Sequence, residues 1–431
     1  MGILNILPQV LQEAKNEYEK CTPERFIPVE RYGSETDNIL AQGDCLPFMK
    51  YLMEEKNMKG RLQLIYADPP FFTKANYSAT VKSACEEKIS AHAYSDVWEE
   101  GELAYYRMLC ARLYAMRDLL SEEGCIWIHL DWHAVHCVKL LMDEIFGADN
   151  FVNEVIWTYK SGGSTKKHFA RKHDTLLFYS RSRKYYFEPQ KEKSYNRGYK
   201  PYRFRGVEEF EDELGWYTMV NMKDVWNIDM VGRTSSERTG YATQKPKALI
   251  DRIVRSCSRP GDICADFFAG SSTLAVSAAD MGRQFIVCDN GDLAAEMSIK
   301  RLHDSGVSFD FYKFCDVIVK KSDDISINSD IIRISVFGNN TEPVDMWSVD
   351  PDYDGKIHRA AYVFKRSKKD IETELRLRSE QISMFDCPGI RLGTAVSILV
   401  YSITGGRKHM VLDVDHMNTN NRVPFGGYFD E

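Results

Sequence analysis

The stretch YADPPFFTKANY, residues 66–77, sets an aspartate, two prolines and two phenylalanines directly behind an apolar run. That run, Leu62 to Ala67 in RLQLIYA, reads as a short buried strand. Asp68 therefore stands at a strand's carboxyl end, where open α/β sheets place their ligands. Pro69 and Pro70 fix φ at about −65° and remove two backbone donors. A plain turn needs only Pro-Asp-Gly or Asn-Gly. Asp-Pro-Pro-Phe instead makes a stiff arm, holding a carboxylate and a carbonyl beside the ring of Phe71.

Outward from this arm, strand-like and helix-like segments alternate from residue 38 to 157. NILAQGD precedes the helix-like CLPFMKYLMEEKN. ELAYYRMLCARLYAMRDLLSEEG repeats its apolar residues at three and four, and Gly124 is expected to cap it. CIWIHLD reads as a strand and HAVHCVKLLMDEIFG as a helix. The alternation predicts an α/β fold with a doubly wound, mostly parallel sheet. It stops at residue 158 and returns near 241. From about Val317, short runs such as IIRISVFGNN, RAAYVFKRS and AVSILVYSITGG predict a small β-rich domain. The expected division is an N-terminal helical extension (1–37), an α/β domain (38–157 and 241–312), an insertion (158–240) and the β-rich C-terminal domain (317–431).

The second informative stretch is DICADFFAGSSTLAVSAADMGRQFIVCDN. A strand ends at Asp266, the chain turns through Phe268, Ala269 and Gly270, and a helix begins at about Thr273. Glycine lets the backbone approach a ligand, and a helix N-terminus offers free N–H groups. Asp289 ends the next strand, at the spacing where an acidic residue commonly holds ribose hydroxyls. The dinucleotide pattern G-x-G-x-x-G and the phosphate loop G-x-x-x-x-G-K-[ST] are both absent, which favours a nucleoside-like cofactor without a polyphosphate.

Net charge is −7 over 431 residues, which by itself argues against nucleic acid. Its distribution argues the other way. Trp157 to Arg205 carries 14 Lys and Arg against 3 Asp and Glu. Such a block on an acidic protein is a local electrostatic footprint. Lys166, Lys167, Arg171, Lys191, Lys193, Arg197, Lys200, Arg203 and Arg205 are the expected phosphate contacts. Tyr185, Tyr186, Tyr195, Tyr199, Tyr202 and Phe204 are the interleaved rings that could stack on bases. The 11 cysteines are scattered, with no C-x-x-C, so no disulfide framework or zinc site is expected. His129, Asp131, His133 and His136 in HLDWHAVH offer metal ligands, but a strand-to-helix junction is the simpler reading. Trp127 and Trp157 read as core. No apolar stretch approaches the ~18 residues that span a membrane. The first 20 residues read as an amphipathic helix without the cationic n-region of a signal peptide. A cytoplasmic protein is expected.

Together, Asp-Pro-Pro-Phe and Phe-x-Gly on a doubly wound sheet resemble the amino-directed, S-adenosylmethionine-dependent DNA methyltransferases. GYATQKPKALIDRIV (240–254) matches the segment that usually precedes their cofactor loop. AQGDCLPFM looks like the Gly-Asp segment before the catalytic strand. The order, catalytic motif first, basic region second and cofactor motif last, is that of the β group. The stretch from LIYADPPFFTKANY through LLMDEIFGADNFVNEVIW further resembles type III restriction-system modification subunits. The resemblance covers roughly residues 38 to 310. Ser272 stands where the family usually has a second glycine, and Phe71 where tyrosine is commoner.

This resemblance implies S-adenosyl-L-methionine as cofactor, held by Asp44, Gln244, Lys245, Pro246, Asp266, Phe268, Ala269, Gly270, Ser271, Ser272 and Asp289. It implies Asp68, Pro69, Pro70 and Phe71 as the catalytic set, with no metal. The Asp68 carboxylate and the Pro69 carbonyl would hold both N–H groups of adenine N6 in a preorganised site. Phe71 would stack on a base rotated out of double-stranded DNA. Methylation of cytosine N4 is an alternative, although those relatives more often carry Ser in place of Asp68. So is a catalytically silent DNA-recognition subunit, or methylation of RNA or a protein amide. A homodimer, or a restriction subunit or other defence-system partner, and a bacterial or phage origin complete the implied picture.

Overall fold

The computed structural model describes residues 3–314 except 83–87, 161–164 and 233, and beyond them 325–328, 331–335, 344–365, 372–378, 381–384, 387–390, 395–402, 405–413 and 427–429. In chain order the first elements are α1 (Ile3–Lys20), β1 (Phe26–Tyr32), β2 (Ile39–Gln42), α2 (Cys45–Glu54), β3 (Leu62–Ala67), β4 (Asn76–Lys82), β5 (Lys88–Ser95), α3 (Glu102–Leu119), β6 (Leu120–Leu130), α4 (Val135–Phe146), β7 (Phe151–Thr158) and β8 (His173–Ser180). Then come β9 (Lys191–Tyr195), β10 (Phe210–Asp212), β11 (Gly215–Asn221), β12 (Val225–Asn227), α5 (Lys247–Cys257), β13 (Ile263–Asp266), α6 (Thr273–Asp280), β14 (Gln284–Asp289), α7 (Asp292–Asp304) and β15 (Phe309–Phe314).

One sheet runs through the molecule in the order β12-β7-β8-β6-β3-β13-β14-β2-β15-β1, closed at its far edge by the two-residue strand His358–Arg359. Pairing from β6 to β15 is parallel throughout, β8 runs antiparallel to both its neighbours, and β1 is antiparallel to β15 but parallel to His358–Arg359. Successive strand side chains face opposite ways, and both faces are buried. Ile65, Ala67, Ile126 and Ile128 join α1 to α4 in one core. Leu64, Tyr66, Cys125 and Trp127 join α5 to α7 in the other. This explains why these strands read as continuous apolar runs rather than alternating ones. Trp127 and Trp157 lie in the second core. The β-rich C-terminal region adds to that core through Met346, Leu399 and Tyr401.

Three expectations change. Gly124 is not a helix cap: α3 ends at Leu119 and Gly124 lies inside β6. A Cβ there would meet the Leu62 carbonyl oxygen at 2.8 Å, so glycine serves the close approach of β3 and β6. Nor is 158–240 one excursion. β8 lies buried inside the main sheet between β7 and β6, and β12 pairs with β7. Between β8 and β12, 181–224 leaves the main sheet and carries a small antiparallel sheet in the order β10-β11-β9. Likewise β1 belongs to the main sheet, so the N-terminal extension proper is α1, which packs against α3. Among the described residues, no helix is long and apolar enough to cross a membrane.

Candidate active site

The carboxyl ends of β2, β3, β13 and β14 open into one cavity of about 520 Å³, covered by the β4–β5 hairpin. That size suits a small-molecule ligand. Asp68 enters it directly from β3. Its Oδ2 contacts the Lys245 ammonium, whose Nζ also stands 5.3 Å over the Phe71 ring. Its Oδ1 is buried without a hydrogen-bond partner among the described residues. Asp68, Pro69, Pro70 and Phe71 all line the cavity. The Pro70 carbonyl, however, accepts the Tyr105 hydroxyl at 2.7 Å.

Asp96 grips the chain just beyond the motif. Its carboxylate accepts the backbone N–H groups of Phe72 (3.1 Å) and Thr73 (2.6 Å), the Thr73 hydroxyl (2.7 Å) and the Trp98 indole N–H (3.1 Å). Phe72 needs this grip, because its φ of 63° lies in the left-handed region, which costs an ordinary residue about 1–2 kcal/mol. Behind Asp68, the buried His129 ring sits 4.0 Å from Oδ1. It is fixed by the Tyr66 hydroxyl at 2.8 Å and Asp174 at 3.2 Å. Burial pushes the Asp174 carboxyl up, but the His129 bond and nearby charge outweigh this and hold it below the usual range.

On the β13–β14 side, the Asp266 carboxylate accepts the Phe268 N–H at 2.9 Å. Asp289 accepts the N–H groups of Gly270 (2.8 Å) and Gly291 (2.9 Å). Burial raises both carboxyl groups, Asp266 well above its usual range, against the lowering effect of these N–H bonds. Gly270 has φ 50°, and a Cβ there would stand 3.1 Å from the Tyr241 ring. The loop is thus built to lie flat against Tyr241.

Of the residues expected at the cofactor, Asp44, Gln244, Lys245, Asp266, Phe268, Ala269, Gly270, Ser271 and Asp289 line this cavity. Pro246 and Ser272 do not. Pro246 caps α5. Ser272 is buried at φ 55°, and its hydroxyl donates to Ser298 of α7 at 2.7 Å. A serine replaces glycine there because α7 supplies the partner. Two lining residues have structural duties too. The Asp44 carboxylate is held by Arg112 at 2.6 and 2.8 Å, and Gln244 bonds Thr239 and the Glu237 carbonyl.

The donor set fits S-adenosylmethionine: carboxylates for hydroxyl and ammonium groups, rings for a base, and an orphaned acceptor at Asp68 Oδ1. Asp96, Tyr105, Tyr241 and His129 join the site without having been expected there. No local motif marks Asp96 or Tyr105, Tyr241 lies in the GYATQKPKALIDRIV segment without having been singled out, and the histidines of HLDWHAVH stand out in the sequence only as metal ligands. They diverge in the structure: His129 faces Asp68, His133 bonds Asp131 at 2.7 Å, and His136 is exposed. Among the described residues, no group of three or more His, Cys, Asp or Glu side chains is placed to hold a metal.

The expected DNA contacts fall into two groups. Lys166, Lys167 and Arg171 lie on the loop from β7 to β8, with Arg171 stacked 3.9 Å over the Trp132 ring. Lys191, Arg197, Lys200, Arg203 and Arg205 are exposed on or near the small sheet. Lys193 is engaged there with Asp212 at 2.6 Å. Of the rings, Tyr199, Tyr202 and Phe204 are exposed. Tyr185 packs on the core, Tyr186 lies under Arg259, and Tyr195 donates to Asp212.

Residues 62–300 match the DNA methylase family model N6_N4_Mtase. The chain belongs to the N6/N4 DNA methylase family. It is an S-adenosylmethionine-dependent methyltransferase with DNA as its substrate. It is 27% identical over 325 residues to the type II methyltransferase M.EcaI of Enterobacter cloacae, covering 62% of this chain and 69% of that protein. It is 25% identical over 289 residues to the DNA adenine methyltransferase YhdJ of Escherichia coli K12, covering 65% and 86%. Among solved structures, TTHA0409 of Thermus thermophilus, described as a DNA modification methylase, matches 64% of this chain and 99% of its own at 17% identity and a TM-score of 0.41. The narrower likeness to type III modification subunits finds no support among these relatives of the methylase.

Proposed function

We propose that this methylase transfers the methyl group to adenine N6 at a specific DNA sequence. The observation that carries the reading is the orphaned Oδ1 of Asp68, a buried acceptor on a residue that lines the cavity, while Lys245 occupies its twin. An exocyclic amine is a poor nucleophile because its lone pair is delocalised into the ring. Oδ1 and the Pro69 carbonyl accept its two N–H groups and favour a tetrahedral nitrogen. Phe71 stacks on the extruded base. S-adenosylmethionine supplies an electrophilic methyl group when bound. The methyl group would pass to the nitrogen and leave a thioether, and the proton that the amine loses would pass by way of the Asp68 carboxylate to solvent. Orientation and preorganised acceptors supply the rate.

In this reading the cavity-lining residues of the β13–β14 side hold the cofactor, and the two basic groups hold phosphates. Aspartate rather than serine at position 68, and likeness to a protein described as a DNA adenine methyltransferase, support adenine. Methylation calling on native DNA from cells expressing the protein tests it. Methyl marks on adenine N6 within one sequence context are the expected result. Marks on cytosine N4 would transfer the reading to that base, and unmarked DNA would sink it. A homodimer or a restriction subunit as partner is tested by sedimentation and by co-purification from the native host.

A further inference from the structure

Phe169 stands 98% exposed between the basic residues Lys166, Lys167 and Arg171. A single apolar residue on a surface is ordinary. This one crowns a loop whose feet are fixed beside the catalytic carboxylate. β7 and β8 pair at Thr158↔His173 and Trp157↔Asp174. Asp174 holds His129 at 3.2 Å, and His129 lies 4.0 Å from Asp68. Tyr159 closes the loop's base, donating its N–H to the Lys172 carbonyl at 3.1 Å and its hydroxyl to Asp174 at 3.0 Å. Arg171 stacks at 3.9 Å over Trp132, on the turn after β6. The feet are thus stiff, while the ring at the crown is exposed among the described residues.

We propose that Phe169 is a wedge that enters the DNA stack at the step from which the target base is withdrawn. The proposal rests on the reading of this chain as a methyltransferase that turns its target base out of the duplex. Withdrawal leaves an unstacked gap, and the duplex resists it in proportion to the pairing lost. Apolar side chains inserted between base steps fill such gaps. The flanking lysines and Arg171 meet phosphates on either side, so the ring is delivered flat to the stack rather than to a phosphate. The stiff feet fix the span between the wedge and Asp68, which couples filling the gap to seating the amine.

The test compares wild type, Phe169→Ala and Phe169→Trp on duplexes carrying the site found by methylation calling. The target base is either correctly paired or mispaired, and affinity is read by fluorescence anisotropy. Loss of one base–aromatic stack predicts about tenfold weaker binding of F169A to the paired duplex. The mispaired duplex, whose gap the wedge fills in the same way, loses at least as much, a duplex lacking the site loses nothing, and F169W retains affinity for all of them. S-adenosylmethionine affinity stays unchanged in all three proteins, which reports that the fold is intact. F169A binding the paired duplex like wild type would make Phe169 a solvated ring. An equal loss on the duplex lacking the site would make it a general contact. Either result overturns the proposal. If wild type methylates nothing, the functional reading fails instead, and independently.

Discussion

Asp96 accepts the backbone N–H of Phe72 at 3.1 Å and so holds a left-handed residue immediately behind the Asp-Pro-Pro-Phe motif. Two prolines stiffen the arm from within, and one buried carboxylate from another segment clamps its far end. Asp96→Ala leaves two backbone donors, a hydroxyl and an indole N–H without their acceptor. It should lower stability by roughly 2–3 kcal/mol. Turnover should fall more than S-adenosylmethionine affinity, which thermal unfolding and calorimetry on one preparation would separate. Unchanged turnover would remove the clamp from catalysis.

Asp68→Asn keeps the side chain's shape and an acceptor for Lys245 but loses the charge. Methyl transfer should fall by at least about 100-fold, on the scale of losing one preorganised group at a reacting centre. Cofactor binding should persist. Turnover near wild type in single-turnover assays would show that another group receives the amine.

Asp289 gives a pH prediction. Burial raises its carboxyl above the ordinary range, partly offset by the Gly291 and Gly270 N–H groups. The ionised form is the stronger acceptor for cofactor hydroxyls. Affinity should therefore weaken as pH falls through that raised range, above the value of about 4 for a free aspartate. Stability of the cofactor-free protein moves the other way. A raised carboxyl binds more protons folded than unfolded, so its contribution is present at low pH and fades as pH rises. Asp289→Asn should weaken binding by about 1.5–3 kcal/mol, the value of a charged hydrogen bond, and flatten this pH dependence. Calorimetry across a pH series checks both.

For DNA, the engagement of Lys193 with Asp212 directs attention to Lys191, Arg197, Lys200 and Arg205. Changing these four to alanine should weaken DNA binding and flatten its salt dependence by about 0.9 in log–log slope for each phosphate no longer neutralised. S-adenosylmethionine affinity should be untouched. A wild-type salt slope would make this face merely solvated.

The alternation of apolar runs, the strand-end aspartates 68, 266 and 289 and the Gly270 turn are all legible in the sequence, because each is written within a dozen consecutive residues. Their meeting in one cavity is a consequence of the sheet's parallel order. Asp96 and Tyr105 are not legible, because each reaches the arm from a distant segment and nothing local marks a buried acceptor or a hydroxyl that closes on a carbonyl. Tyr241 stands within GYATQKPKALIDRIV, but nothing there marks a ring that a glycine faces. β8 is hidden by composition: DTLLFYS is an apolar strand, but lysines and arginines flank it closely on both sides. Lys193 misleads for a related reason, since charge on a strand says nothing of the partner across the ladder.

The pairing of β3 with β13, at Leu64↔Cys264 and Ala265↔Ile65, joins strands whose sequence positions lie far apart. A ribosome that has made the catalytic arm has not yet made the strand beside it. Until β13 emerges, one flank of β3 offers unpaired backbone groups, and the pocket lacks its cofactor wall. Contacts of such long range are closed late and slowly. The growing chain therefore carries the Asp68 carboxylate from residue 68 to residue 263 of synthesis with no means of using it. Competence should arrive abruptly, once the last third of the sheet has docked.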